Sequence, residues 1–468
     1  MTLTLKSAAK YLAFSLFLAV VYLKFGSIFI ITASLILAIV LGGVVLAKRL
    51  QASVPAVLIY LYLFFGVVNF IVGGSFYDMA FPVSLPFFPL LVIHYLNTAG
   101  KKIPGIIPFF IMLFGFLVSI IYQTLVHGGA YNFKFLGDQQ LIFVFIFFFS
   151  LYMLFSFRIL SLWKVVFVLS VSVLPEIIYI FLLYLSQNSL GLIFHERLGC
   201  SVGIPANQIA VWLDIAFPLA LLIALYDKRP RLKIFFSVLA MFYGAAVLLT
   251  ASRGSMVGLP FIPFFIASKS KSIITKLIIL VVSLSAFGIF GRGIVERTLF
   301  PTRADVISNL GRRELLRAGI SVLKSNHYFF GIGIDNYRTE KYNFDFMSSF
   351  DTKSAMSTHN GFVEIWLGWG FIGLTGWLVF LGQGIARAAR ARLRPEMSYL
   401  KPALLLAIFI SLTHALFDSV ITCFPFMIFF LSLIACAFFL GESDDVRQPL
   451  INDGTLPGGI KLHYAAGP

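Results

Sequence analysis

Apolar runs long enough to cross a bilayer recur from one end of this chain to the other, and no other feature constrains its fold so tightly. An α-helix needs about 20 apolar residues per crossing. Candidate spans lie near 8–23, 26–47, 53–74, 79–96, 103–126, 139–157, 165–186, 205–226, 233–252, 254–268, 274–291, 360–385, 402–420 and 423–440. The runs are solidly apolar, without the alternation of a barrel strand. Backbone groups in lipid must be satisfied within their own segment, so helices are required. Composition agrees: of 468 residues, 59% are hydrophobic and 12% charged, with a mean hydropathy of +0.95. A soluble domain is about half apolar and about a quarter charged. The first run, Tyr11 to Leu23, has the length of a signal-peptide core. It lacks a small-residue cleavage site and leads straight into a second span, so it reads as a helix. The expected fold class is an all-α polytopic integral membrane protein with about 12–14 transmembrane helices and one large outer loop.

A net charge of +16 could point to nucleic acid. The basic residues are scattered between apolar runs, however, which fits membrane orientation better, and no nucleic-acid partner is expected. With Lys6 and Lys10 in the cytoplasm, every second connection should be basic. Lys48-Arg49, Lys101-Lys102, Arg158 with Lys164, Lys228-Arg229 with Arg231 and Lys233, Lys269 with Lys271 and Lys276, and Arg387 to Lys401 fall in that register. This divides the chain into N-terminal transmembrane helices over 1–290, a long outer loop over 291–358, C-terminal transmembrane helices over 359–441, and a cytoplasmic tail over 442–468 that reads as disordered. The loop contains an amphipathic stretch, "SNLGRRELLRAGISVLKSN", with Leu315, Leu316, Ile320 and Leu323 at helical spacing. The cysteines Cys200, Cys423 and Cys436 show neither metal-site nor disulfide spacing.

Polar residues collect on the outer side. His195, Glu196, Arg197 and Asn207 lie between two spans, and "TASRGS" places Arg253 at a tight turn. The loop carries Arg312, Arg313 and Arg317, and His359-Asn360 opens the next span. Each has a structural reading as well as a functional one. Arg253 either snorkels from a helix end or binds an anion. The loop arginines are either the solvated face of a helix or a cationic clamp. Asn360 is either an N-cap or a site residue, and His359 either a satisfied interfacial histidine or a base. The glycines of "GWGFIGLTG" suit close helix packing. His414 and Asp418, one turn apart in an apolar run, read as a polar pair inside the membrane.

The order and sidedness of these pieces resemble the O-antigen ligase and polymerase superfamily of bacterial envelope glycosyltransferases. The matching segments are "RLGCSVGIPANQIAVWLDIAFPLAL", "SRGS", "GRRELLRAGISVLKSNHYFFGIGIDNYR" and "HNGFVEIWLGWGFIGLTGW", together spanning about Arg197 to Trp377. Two positions depart from the family pattern. His327-Tyr328-Phe329-Phe330 stands where a proline commonly precedes the loop's glycine pair, and Trp369 stands where Glu often precedes the helix glycine.

The resemblance implies a GT-C-like membrane glycosyltransferase of the bacterial inner membrane, with its site on the periplasmic side. It would move a glycan from undecaprenyl pyrophosphate to an acceptor sugar hydroxyl, such as the lipopolysaccharide core, with inversion. No Asp-x-Asp pair stands on the outer side, so no metal or other cofactor is expected. Arginines would take the charge that a metal carries in many soluble transferases, since the guanidinium fork matches phosphate oxygens. His359 would be the base, with Asn360 holding it or the substrate. Arg253, Arg313 and Arg317, and Arg197 from the earlier segment, would bind pyrophosphate. Among the loop three, Arg313 and Arg317 are four apart and share a helix face, which favours them over Arg312. A polymerase of the same superfamily is the nearest alternative. A transporter or flippase of lipid-linked sugars is another, but it should carry midplane charges and inverted repeats, whereas the polar groups here collect at one face and the sequence shows no repeat.

Overall fold

The computed structural model describes residues 105–126, 147–156, 159–187, 206–269, 272–290, 303–333, 357–393, 397–419 and 424–442. It also describes Ala56, Ile59, Tyr60, Leu63, Leu198, Tyr337 and two short tail strands. The helices are α1 (Ile106–Val126), α2 (Phe147–Ser156), α3 (Leu162–Val171), α4 (Leu174–Ser186), α5 (Ala206–Tyr226), α6 (Pro230–Thr250), α7 (Arg253–Gly258), α8 (Phe261–Lys269), α9 (Ile273–Phe290), α10 (Arg303–Val322), α11 (Gly361–Arg390), α12 (Leu400–Ala415) and α13 (Phe424–Glu442). Strands β1 (Thr455–Leu456) and β2 (Ile460–Lys461) pair antiparallel in the tail that reads as disordered from its sequence. The architecture is all-α, as expected. Among the described residues, five apolar stretches are long enough to cross a membrane: Ile106–Leu125, Leu162–Ser186, Ala206–Tyr226, Pro230–Thr250 and Gly361–Arg390. The four spans expected before residue 97 lie outside the described residues, apart from helical positions at Ala56, Ile59, Tyr60 and Leu63.

Two expected spans are broken at proline. The run 165–186 divides between Val171 and Leu174, where Pro175 occupies the first turn of α4 and cannot donate to the helix before it. The run 254–268 becomes α7 and α8, with Pro260 between them.

Helix α5 is the hub, packing on α6, α12, α3 and α7. At one end of it, Arg229 donates to Asp227 through Nη2 at 2.6 Å and lies 4.5 Å over the Trp163 ring; Tyr399 donates to the same carboxylate at 2.9 Å. That cluster ties the α5–α6 turn to the start of α12. Helix α1 shows the polarity expected in lipid. Ile107, Phe110, Phe114, Leu117, Ile121 and Leu125 form an exposed stripe at spacings of three and four. Two polar residues face inward instead: Ser119 donates to Gly368 O at 3.1 Å and Gln123 to Gly331 O at 2.7 Å. In water this arrangement would be inside out.

Helices α1 and α11 cross at glycines. A Cβ on Gly115 would come 2.5 Å from Gly373 N, and one on Gly376 would come 2.7 Å from Met112 N. Gly370 breaks α11 with φ 68° and ψ −178°, a backbone conformation that L side chains rarely adopt. The turn after α10 fills the break. Ile332 N donates to Leu367 O at 2.6 Å and Phe371 N to Tyr328 O at 3.1 Å, so the backbone groups freed by the kink are paired.

Candidate active site

The head of α11 is built by three consecutive residues. Asn360 is the N-cap: its Oδ1 accepts from Phe362 N at 3.1 Å and Val363 N at 3.0 Å, and its Nδ2 donates to Leu416 O at 3.0 Å. The side chain expected to hold a base or substrate is therefore engaged in starting the helix and tethering the end of α12. Thr358 bridges over its neighbour, with Oγ1 accepting from Asn360 N at 3.3 Å and donating to Asn360 O at 3.1 Å. Glu364, in the first turn, accepts from Thr358 N at 2.8 Å and from Ser419 Oγ. His359 sits inside this clasp at φ 55°, a left-handed conformation rare for residues with a Cβ.

His359 Nδ1 lies 3.2 Å from Asp418 Oδ1, with the histidine 29% and the aspartate 15% exposed. Asp418 also accepts from Asn207 Nδ2 at 2.6 Å and from Ser419 N at 2.9 Å. Burial alone would raise the Asp418 carboxyl. The hydrogen bond from His359 and the charges of Arg312, His359 and His414 outweigh it and hold the group well below the usual carboxylate range. An ionised carboxylate only accepts, so Nδ1 carries the proton and Nε2 is left as the acceptor nitrogen.

The arginines divide. Arg253 opens α7 just past Ala251, which caps α6 in the left-handed region, and donates through Nη1 to Asn309 Oδ1 on α10. On α10 the buried positions are Leu315, Ala318, Gly319 and Val322, with Gly319 packed toward Thr358, Val363 and Leu367. Asn309 and Arg312 flank that buried stripe, and the charge of Arg312 reaches Asp418. Arg313 is exposed, and Arg317 is 64% exposed with Nη1 3.7 Å from Glu314 Oε2. The two loop arginines favoured by their shared face thus share the outer face of α10, and the one set aside lies toward the site. Arg197 lies outside the described residues. Its neighbour Leu198 is buried and donates through its backbone to Leu249 O at 2.9 Å.

His414 and Asp418 do not pair with each other through their side chains. His414 Nδ1 lies 2.6 Å from Asp214 Oδ2, while Asp418 goes to His359 and Asn207. Each finds a nearer partner on another element. The sequence reading did not join Asp418 to His359 or Asn309 to Arg253, and it set Arg312 aside. Spacing along one helix finds neighbours on that helix, and these contacts join residues far apart in the chain.

The described helices thus set a His–Asp pair at the head of α11, with Arg253 and Arg312 on neighbouring elements. Residues 236–378 match the family described as O-Antigen ligase. The matched segment runs from α6 past the α11 kink. It contains Arg253, Arg312 and His359, and ends before Asp418. No curated protein matched the sequence.

Proposed function

We propose that the protein transfers a glycan from undecaprenyl pyrophosphate to a sugar hydroxyl at the periplasmic face of the bacterial inner membrane, with the lipopolysaccharide core as acceptor. The observation that carries this reading is the His359–Asp418 pair, which leaves Nε2 of His359 free to accept a proton. In the step, the acceptor O–H gives its proton to Nε2 and its oxygen bonds the anomeric carbon from the face opposite the pyrophosphate. The bond from that carbon to the pyrophosphate oxygen breaks, the electron pair leaves on phosphate, and the configuration inverts. Asp418 stabilises the imidazolium that forms. Arg253 and Arg312 stabilise the charge developing on the leaving group, a role that requires no divalent metal.

The same chemistry with a lipid-linked glycan as acceptor would make the protein a polymerase. Purified protein is supplied with a lipid-pyrophosphate glycan and either lipid A-core or a second lipid-linked glycan. Product on the lipid A-core, lost in His359→Ala at unchanged expression, is expected. Product only on the lipid-linked acceptor would identify a polymerase, and near-normal turnover of His359→Ala would remove the base role.

A further inference from the structure

A second polar centre lies behind the first and takes no part in the step above. Asp214 on α5, Ser255 on α7 and His414 on α12 are each at most 1% exposed. His414 Nδ1 is 2.6 Å from Asp214 Oδ2 and 3.2 Å from Ser255 Oγ. This is no serine nucleophile, because serine and aspartate share the same ring nitrogen, whereas a nucleophile's base needs them on opposite nitrogens. The ring is also seated sterically. A Cβ on Gly254 would come 2.3 Å from His414 Cδ2, so only glycine at 254 admits the imidazole.

Both ends of this cluster lead to the proposed site. Gly254 and Ser255 directly follow Arg253 in the first turn of α7. The backbone carbonyl of His414 accepts from Phe417 N at 2.9 Å and Asp418 N at 3.1 Å, which forms the turn that delivers Asp418 to His359. Asp214 Oδ2 is paired while Oδ1 is buried without a hydrogen bond; losing the His414 contact would leave the whole carboxylate unpaired, so the contacts hold these three helices in one arrangement.

We infer that His414, clamped by Asp214 and Ser255, is a positioning residue: it fixes the turn bearing Arg253 relative to the turn bearing Asp418, and so sets the gap between the pyrophosphate-binding and base halves of the site. The inference rests on the transfer reading for its consequence in activity, but not for its consequence in structure.

The test uses the full-length protein in nanodiscs. Ser255→Ala removes one hydrogen bond and leaves the fold intact, and Asp214→Asn keeps the shape and removes the charge. Tyr399→Phe, which loses a comparable buried hydrogen bond at the other end of α5, is the control. Ser255→Ala should raise the donor KM several-fold with the acceptor KM unchanged, and Asp214→Asn should in addition lower kcat about tenfold or more. Tyr399→Phe should alter neither. Hydrogen exchange should speed up at 251–256 and 416–419 together in both site variants. Wild-type donor KM and wild-type exchange at both turns in folded Ser255→Ala and Asp214→Asn would overturn the inference. If the wild type transfers no glycan, the transfer reading fails, and the exchange result alone decides whether His414 couples the two turns.

Discussion

His359 Nδ1 and Asp418 Oδ1 stand 3.2 Å apart although the residues are 59 positions apart in sequence. One opens α11 and the other follows α12. Removing the carboxylate should cost transfer, because the imidazole loses both its fixed tautomer and the partner for its positive charge. Asp418→Asn should lower kcat on the order of 10²-fold or more, measured with a lipid-pyrophosphate donor at matched folded protein. Near-normal turnover in that variant would detach Asp418 from the base.

The same carboxylate makes a pH prediction. Its folded pKa is depressed, so its contribution to stability is complete above the ordinary carboxylate value and is lost as pH falls toward the folded value. The Tm difference between wild type and Asp418→Asn should be flat from about pH 6 to 8 and shrink below about pH 4. Thermal unfolding in detergent across that range checks it; a difference that grows on acidification would reverse the sign.

Among the loop arginines, lysine replacement keeps charge and removes the fork. Arg253→Lys and Arg312→Lys should each lose roughly ten- to a hundred-fold in turnover, equivalent to about 1.5–3 kcal/mol per charged hydrogen bond. Arg313→Lys and Arg317→Lys should stay within about twofold of wild type, as expected of solvated charges. Turnover at equal expression makes the comparison. Sensitivity at 313 with indifference at 312 would return the clamp to the outer face of α10.

The α11 kink predicts a glycine that cannot be replaced. A Cβ on Gly370 would lie 2.0 Å from Phe329 O, at a φ of 68°. Gly370→Ala should destabilise by more than about 2 kcal/mol and detach the turn after α10. Gly382, with nothing within 4 Å of its would-be Cβ on the same helix, should accept alanine. Tm values for the pair discriminate; equal tolerance would mean that the kink is not required.

If arginines carry the leaving-group charge, chelation should leave transfer intact. Activity lost in EDTA and recovered with Mg²⁺ or Mn²⁺ would contradict the clamp.

The sequence by itself determined the class of this protein. Hydropathy over about 20 residues is a local property imposed by the bilayer, and it is legible in any single segment. So are the helical phase of α10 and the resemblance carried by residues around Arg253 and His359, which the O-Antigen ligase match over 236–378 supports. The glycines of "GWGFIGLTG" also read correctly as close-packing positions, since Gly373 and Gly376 meet α1. Pairings across helices were decided by the tertiary structure. The i,i+4 spacing of Arg313 and Arg317 identified a shared face, but which face of α10 turns inward depends on where Gly319 meets Thr358, Val363 and Leu367. His414 and Asp418 are likewise neighbours in sequence, yet their side chains pair with Asp214 and His359. A side chain's partner is chosen by distance after packing, and helix periodicity constrains only one of the two elements that meet.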